Sequence, residues 1–194
     1  MKADHYLRYH QYLLNRSTLG NIYRKYILYP LLAGMFKGHV VDVGCGIGSF
    51  LDFYKDAEGL DINPYNVKFC QENGLKVTLI EKNGRFPYQD QLVENFLLDN
   101  VLEHIHDPRA LLEEISRCMK LGGRFIVGVP GIKGFDYDDD HKKFYDKELL
   151  ISTIAPYGFQ EIKSLGLPLP GSLASKYIRQ YCIYAVFKKI DLVN

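Results

Sequence analysis

The sequence predicts an α/β fold built on a mostly parallel sheet, and three observations carry that reading. A short apolar run, Val40, Val41 and Val43, stops at Gly44, Gly46 and Gly48 and gives way to helical spacing at Phe50, Leu51, Phe53 and Tyr54. Short apolar runs then alternate with longer amphipathic stretches, the order that a parallel sheet with crossover helices requires. The last two runs, Phe159 to Ile162 and Tyr181 to Phe187, lack a full crossover helix between them and should pair antiparallel.

Taken in order, Tyr6, Leu7, Tyr9, His10, Leu13 and Leu14 recur at helical spacing, Ser17 to Gly20 breaks the pattern, and a second amphipathic helix is expected from Ile22 to Phe36. A membrane-surface role for that second helix is opposed by Pro30 in its middle and by its thin basic content. The glycines at every second position admit positive φ and let a ligand lie on bare backbone. Ala57 to Leu60 is the next strand, and Asp61 at its carboxyl end could accept two hydrogen bonds from a ribose diol. The stretch reads as a nucleoside-binding βαβ unit. Pro64 suits the first turn of a helix running to Glu72, Asn73-Gly74 closes it, and Lys76 to Ile80 is a strand. Val93 to Leu98 follows, with Asp99 and Asn100 at the end where open parallel sheets bind ligands. Asp107-Pro108 caps a helix whose Leu111, Leu112, Ile115 and Met119 share a face, and Lys120-Leu121-Gly122-Gly123 is expected to close it before a strand from Phe125 to Val129. From Pro130 to Asp146 the chain is glycine-rich, then acidic, as in a lid or substrate loop. Asp138, Asp139 and Asp140 read as solvated charge, and no metal-ligand set is expected. Glu148 to Tyr157 is the last long helix.

With 194 residues, 47% of them hydrophobic, the chain is expected to form one domain over 1–194, with residues 1–37 as a helical cap and 38–190 as the core. A net charge of +1 without a clustered basic face argues against a nucleic acid partner. Cys45, Cys70, Cys118 and Cys182 are widely spaced, with no C-x-x-C or Cys/His cluster, and read as free thiols in a reducing compartment. The opening residues do not resemble a leader peptide, and no apolar run reaches transmembrane length, so the expectation is a cytoplasmic chain without stable membrane insertion. Oligomeric state is not legible.

The stretch DVGCGIGSF followed by GLDIN resembles motif I and the acidic strand-two motif of the class I S-adenosylmethionine-dependent methyltransferases. Phe86-Pro87-Tyr88 through Asp99-Asn100-Val101-Leu102-Glu103-His104 is similar to that family's segment around strand four, and Leu121-Gly122-Gly123-Arg124 to its turn into strand five. The matches fall in the family's order and span about Phe36 to Phe187. The resemblance implies a Rossmann-like three-layer sandwich with a seven-stranded, mostly parallel sheet, its last strand antiparallel, plus N-terminal helices. It implies S-adenosylmethionine as cofactor, leaving as S-adenosylhomocysteine.

The cofactor residues implied are Asp42 for the ammonium group, Gly44, Cys45, Gly46 and Gly48 for the methionine end, Asp61 and Ile62 for the ribose side, and Asp99 and Asn100 facing the cleft. The acidic residue that commonly contacts adenine has no counterpart in register. Asn83 is the candidate there, Glu81 replaces it if the register slips, and a plain Asn83-Gly84 turn is the competing reading. His104, His141 and Glu103 are candidates to take a proton from the acceptor, His104 with a packing role as its alternative. Tyr6, Tyr9 and Tyr23 either line an acceptor pocket or pack on the sheet. The acceptor implied is a small molecule, a sugar or a lipid-linked intermediate, methylated at oxygen. A non-catalytic S-adenosylmethionine-binding partner or sensor is the alternative. A nicotinamide-dependent oxidoreductase is opposed by the G-x-G-x-G spacing and the lack of a Tyr-x-x-x-Lys pair.

Overall fold

The structure, a computed structural model, describes residues 2–82, 84–169 and 172–191. The chain forms two compact units, Met1–Arg85 and Phe86–Asn194.

The first unit contains α1 (Lys2–Leu14), α2 (Thr18–Tyr23), a π-helical turn (Arg24–Leu28), α3 (Tyr29–Ala33), β1 (Val40–Val43), α4 (Ser49–Phe53), β2 (Ala57–Asp61), α5 (Pro64–Glu72) and β3 (Val77–Leu79). The three strands are parallel, with Asp42 opposite Gly59 and Asp61 opposite Leu79. Every residue of β1 is buried, which explains an apolar run without alternation. Behind β2, Leu51, Val67, Cys70 and Val77 form a core cluster. Tyr29 and Phe36 meet Phe50 edge-on, with centroids 5.6 and 6.3 Å away.

One predicted boundary is corrected here. The expected break falls at residues 15–17, and Thr18 to Gly20 already belong to α2, because the Ser17 hydroxyl accepts the Gly20 N–H at 3.2 Å as its N-cap. Pro30 has no N–H to donate and its ring crowds the carbonyl four residues back. The chain widens into the π turn just before it, closed by the Tyr29 N–H on the Arg24 carbonyl. The side chains of Tyr6, Tyr9 and Tyr23 are half-buried.

The second unit contains β4 (Val93–Asp99), a 3-10 turn (Leu102–His104), α6 (Arg109–Cys118), β5 (Met119–Pro130), α7 (Ile132–Phe135), α8 (Lys147–Ile154), a 3-10 turn (Ala155–Tyr157), β6 (Phe159–Leu167), α9 (Ser172–Tyr177) and β7 (Cys182–Lys189). Strands β4 and β5 are parallel. The last strand, β7, runs antiparallel to β5 and to β6, as expected for strands without a long crossover. The seven strands follow the order β3-β2-β1-β4-β5-β7-β6.

Residues 120–123, read from sequence as a helix stop, belong instead to β5. Met119 already pairs with Val93, and the ladder shifts register before Asn95 meets Arg124. A Cβ on Gly123 would run into the Glu94 carbonyl of the neighbouring strand, so the glycine serves close strand approach. Among the described residues, no helix is long and apolar enough to cross a membrane.

Candidate functional site

In the first unit, the chain leaves β1 through three glycines that all adopt left-handed backbone: Gly44 at φ 74°, Gly46 at 57° and Gly48 at 74°. A side chain at these positions would be strained, which is why glycine recurs at this spacing. The Gly44 and Cys45 N–H groups both point to the Leu60 carbonyl at 2.7 and 3.3 Å, and Gly48 caps the start of α4. Gly44 is exposed and Gly46 half-buried, so backbone is open to a ligand at the carboxyl end of β1.

Asp61, at the end of β2, is 5% exposed and folded onto this loop. Its carboxylate accepts the Gly46 N–H at 2.8 Å, the Asn63 N–H at 2.7 Å and the Asn66 amide at 3.4 Å. Burial raises its pKa above the ordinary carboxylate value, with the Asn63 and Gly46 donors acting in the opposite direction. Asp42 is buried within β1, and Ile62 is exposed beside Asp61. The Cys70 thiol donates to the Gly46 carbonyl at 3.4 Å; the neighbouring Cys70 thiol and burial push Cys45 up, while Cys45 pulls Cys70 down.

Helix α1 lies over this loop. Buried Leu13 packs against Gly46, where a Cβ would stand 3.1 Å from its methyl. His10 Nδ1 lies 2.8 Å from the Asn66 side-chain oxygen, and the Asn63 amide donates to the Tyr6 carbonyl at 2.9 Å. Sequence reasoning did not single out Leu13, His10, Asn63 and Asn66 as site residues. Asn63 carries a local signal, since it caps α5 by accepting the Tyr65 N–H at 3.0 Å. The other contacts span more than thirty residues and have none. The predicted adenine contact, Asn83, lies outside the described residues.

In the second unit, Asp99 ends β4 and accepts the Tyr184 hydroxyl and the Asn100 amide, each at 2.8 Å. Asn100 takes a left-handed φ of 56°, and its side-chain oxygen accepts from the Cys182 thiol at 3.5 Å. Opposite Asp99 in β5 is Gly128, where a Cβ would meet the Tyr184 ring and stand 2.7 Å from the Asp99 carboxylate. Gly128→Ala is therefore expected to break the Tyr184 to Asp99 bond and to destabilise the unit by about 2 kcal/mol. Urea unfolding checks this; an unchanged midpoint contradicts it.

Beyond Asn100, the 3-10 turn carries Glu103 inward, where its side chain is 1% exposed. The loop after α7 is drawn onto it: the Lys142 and Lys143 N–H groups both donate to the Glu103 carbonyl, at 2.6 and 3.1 Å. His104 Nδ1 lies 3.3 Å from the Asp140 carbonyl and His141 Nδ1 lies 2.8 Å from the Phe135 carbonyl. The two imidazoles have centroids 4.8 Å apart, and His141 Nε2 is 3.9 Å from the Glu103 carboxylate.

Glu103, His104 and His141, named singly from sequence, are thus one cluster. Burial raises the Glu103 pKa well above the usual range, and the charges of Asp99 and Asp138 add to it. Burial, then His141, lowers that of His104, which favours neutral imidazole. Burial and Glu103 push the Tyr145 hydroxyl up to about 12. The aspartate run does not converge: Asp138 caps the turn by accepting the Asp140 N–H at 3.0 Å, and Asp139 is exposed. His106 is exposed, and Asp107 pairs with Arg109 at the surface.

A family model described as a methyltransferase domain matches residues 41–127. An uncharacterized protein of Methanocaldococcus jannaschii is 29% identical over 139 residues, 66% of this chain and 67% of its own length. A sterol 4-C-methyltransferase of Caenorhabditis elegans is 29% identical over 118 residues, which are 55% of this chain but only 35% of the nematode protein. A solved structure described as an S-adenosylmethionine-dependent methyltransferase from Thermotoga maritima superposes with a TM-score of 0.72 at 19% identity, covering 88% of this chain and 91% of that one, so the two share a fold.

Proposed function

We propose that the chain is a class I S-adenosylmethionine-dependent methyltransferase, as its match to a methyltransferase-domain model over residues 41–127 supports, and that its glycine loop and Asp61 hold the cofactor while Glu103, His104 and His141 serve a hydroxyl acceptor. The observation that carries the first half is the buried Asp61 carboxylate, held 2.8 Å from the Gly46 N–H at the end of a loop without side chains at three positions. S-adenosylmethionine supplies an electrophilic methyl group on its sulfonium, so the protein has mainly to align an acceptor lone pair with it.

On this reading the bare backbone of Gly44, Gly46 and Gly48 admits the methionine end, Asp42 and Cys45 border it, and Ile62 flanks the ribose. Asp61 accepts the ribose hydroxyls. Three donors already share its carboxylate, and Asn66 at 3.4 Å is the longest and the one a hydroxyl would replace. Asp99 and Asn100 at the end of β4 complete the cofactor set. Asn83 is retained as the adenine contact. The neutral His104, with its lowered pKa, is suited to take the acceptor's proton near neutral pH. The whole of 1–194 acts as a single domain, residues 1–37 as its cap, and the four free thiols suit a cytoplasmic setting.

Because the ionised form of Asp61 is the better acceptor and its pKa stands above the ordinary value, S-adenosylhomocysteine affinity should fall on acidification earlier than an unshifted aspartate would allow. In Asp61→Asn that dependence should flatten. Titration calorimetry from pH 7 downward checks it, and parallel curves for the two proteins contradict it.

The acceptor is proposed to be a small molecule, sugar or lipid-linked intermediate carrying a hydroxyl. The test supplies methyl-labelled S-adenosylmethionine with fractionated small-molecule, glycan and lipid extracts and identifies the labelled atom. Label on oxygen, lost in His104→Ala, supports the reading. Label on carbon, the chemistry in the nematode relative's name, overturns the oxygen assignment.

A further inference from the structure

We propose that Glu103, His104 and His141 form a binding site for a divalent transition-metal cation. One potential ligand atom from each residue lies within 4.8 Å of the other two. The argument rests on which atoms are donors. A carbonyl oxygen can only accept, so the 2.8 Å contact with Phe135 places the proton of His141 on Nδ1 and leaves a lone pair on Nε2, the nitrogen 3.9 Å from Glu103. The contact with the Asp140 carbonyl fixes the same tautomer for His104. Both carboxylate oxygens of Glu103 are fully buried and have no hydrogen-bond donor among the described residues.

Glu103 and His141 thus turn acceptor atoms toward each other, an arrangement that calls for a proton or a cation between them. Metal-binding imidazoles characteristically donate their other ring N–H to a backbone carbonyl, as both do here, which fixes tautomer and ring orientation. The charges of Asp99 and Asp138 reach Glu103 and deepen the negative potential. Glu103 is fully buried and the His141 side chain is only 9% exposed, so access is from the side of the partly exposed His104.

Two imidazoles and one carboxylate suit zinc, iron or cobalt, whereas magnesium and calcium prefer oxygen alone. Bonds of about 2.0–2.1 Å set ligand atoms roughly 3–3.5 Å apart, so Glu103 and His141 need to close by less than about 1 Å and the widest pair by up to about 2 Å. Open coordination positions would remain for an acceptor oxygen, whose proton the cation would make more acidic; with the cation bound, His104 is a ligand in place of a base. Only that last consequence rests on the methyl-transfer reading; the binding itself does not.

The test titrates cobalt(II) into metal-stripped full-length protein, reading the visible d–d bands, with zinc displacement followed by calorimetry. One cobalt per chain is expected, with affinity weakened about 100-fold or more in His141→Ala and in Glu103→Gln, and unchanged in His106→Ala. Circular dichroism establishes that each variant is folded, and His141→Gln replaces the alanine variant if that one is not. Absence of saturable cobalt binding in folded wild-type protein overturns the site, as does equal affinity in the folded variants; either leaves a shared proton or a water as the occupant. S-adenosylhomocysteine is titrated into the same preparations. Cobalt binding without nucleoside binding sinks the cofactor reading alone, and the reverse sinks the metal site alone.

Discussion

Asp61→Ala is expected to weaken S-adenosylhomocysteine binding by about 100-fold while the protein remains folded at 25 °C. A hydrogen bond to a charged group contributes about 1.5–3 kcal/mol, so losing two ribose bonds removes roughly 3 kcal/mol, or two decades of affinity. The same substitution leaves the Gly46 and Asn63 N–H groups and the Asn66 amide without their shared acceptor, so the melting temperature should fall as well. Asp61→Asn separates the two effects. It keeps one acceptor oxygen but turns an NH2 group toward backbone donors, so it should bind with intermediate affinity. Calorimetry on both variants, with thermal melts as a fold control, checks this. Undiminished affinity in folded Asp61→Ala contradicts the ribose assignment.

Arg117→Ala is expected to destabilise the second unit by about 3 kcal/mol, a fall of roughly 6–12 °C in melting temperature. Arg117 is 18% exposed and grips Glu114 with both ends of its fork, Nε to Oε1 at 2.9 Å and Nη2 to Oε2 at 2.7 Å. It also donates to the Tyr88 carbonyl at 3.0 Å, while Glu114 accepts the Phe86 N–H at 2.9 Å, so the pair ties residues 86–88 to α6. The contact with Asp90, which is 67% exposed, is solvent-screened and adds little. The loss comes mainly from the half-buried fork and the stranded Glu114 charge. Arg117→Lys restores a charge but not the planar fork and should recover only part of it. Urea unfolding measures the series, and a wild-type midpoint for Arg117→Ala contradicts the account.

What the sequence made legible was local. Helix α5 is observed over Pro64–Glu72, the bounds read from Pro64 and the Asn73-Gly74 stop, because both ends carry their own chemistry. Gly44, Gly46, Gly48 and Asp61 were readable because strand, turn and strand end lie within twenty-five residues. Where the same residue types serve a distant neighbour, the local reading failed. Gly122-Gly123 resembles a helix stop, yet Gly123 answers to the Glu94 carbonyl across a strand. Thr18 to Gly20 resemble part of a break, yet the Ser17 hydroxyl caps a helix that already includes them.

The site shows the same division. Glu103, His104 and His141 could each be named, but no spacing rule announces that a loop pinned to the Glu103 carbonyl brings His141 back across thirty-seven residues. Leu13, His10 and Asn66 were invisible for the same reason, since what they do depends on where α1 comes to rest within its unit.

The most direct measurement is titration calorimetry of the unmodified protein with S-adenosylhomocysteine, beside nicotinamide adenine dinucleotide under the same conditions. Saturable binding of one S-adenosylhomocysteine per chain, with no heat from the dinucleotide, is the predicted result. A folded protein that binds neither, or only the dinucleotide, would contradict the assignment of the glycine loop and Asp61.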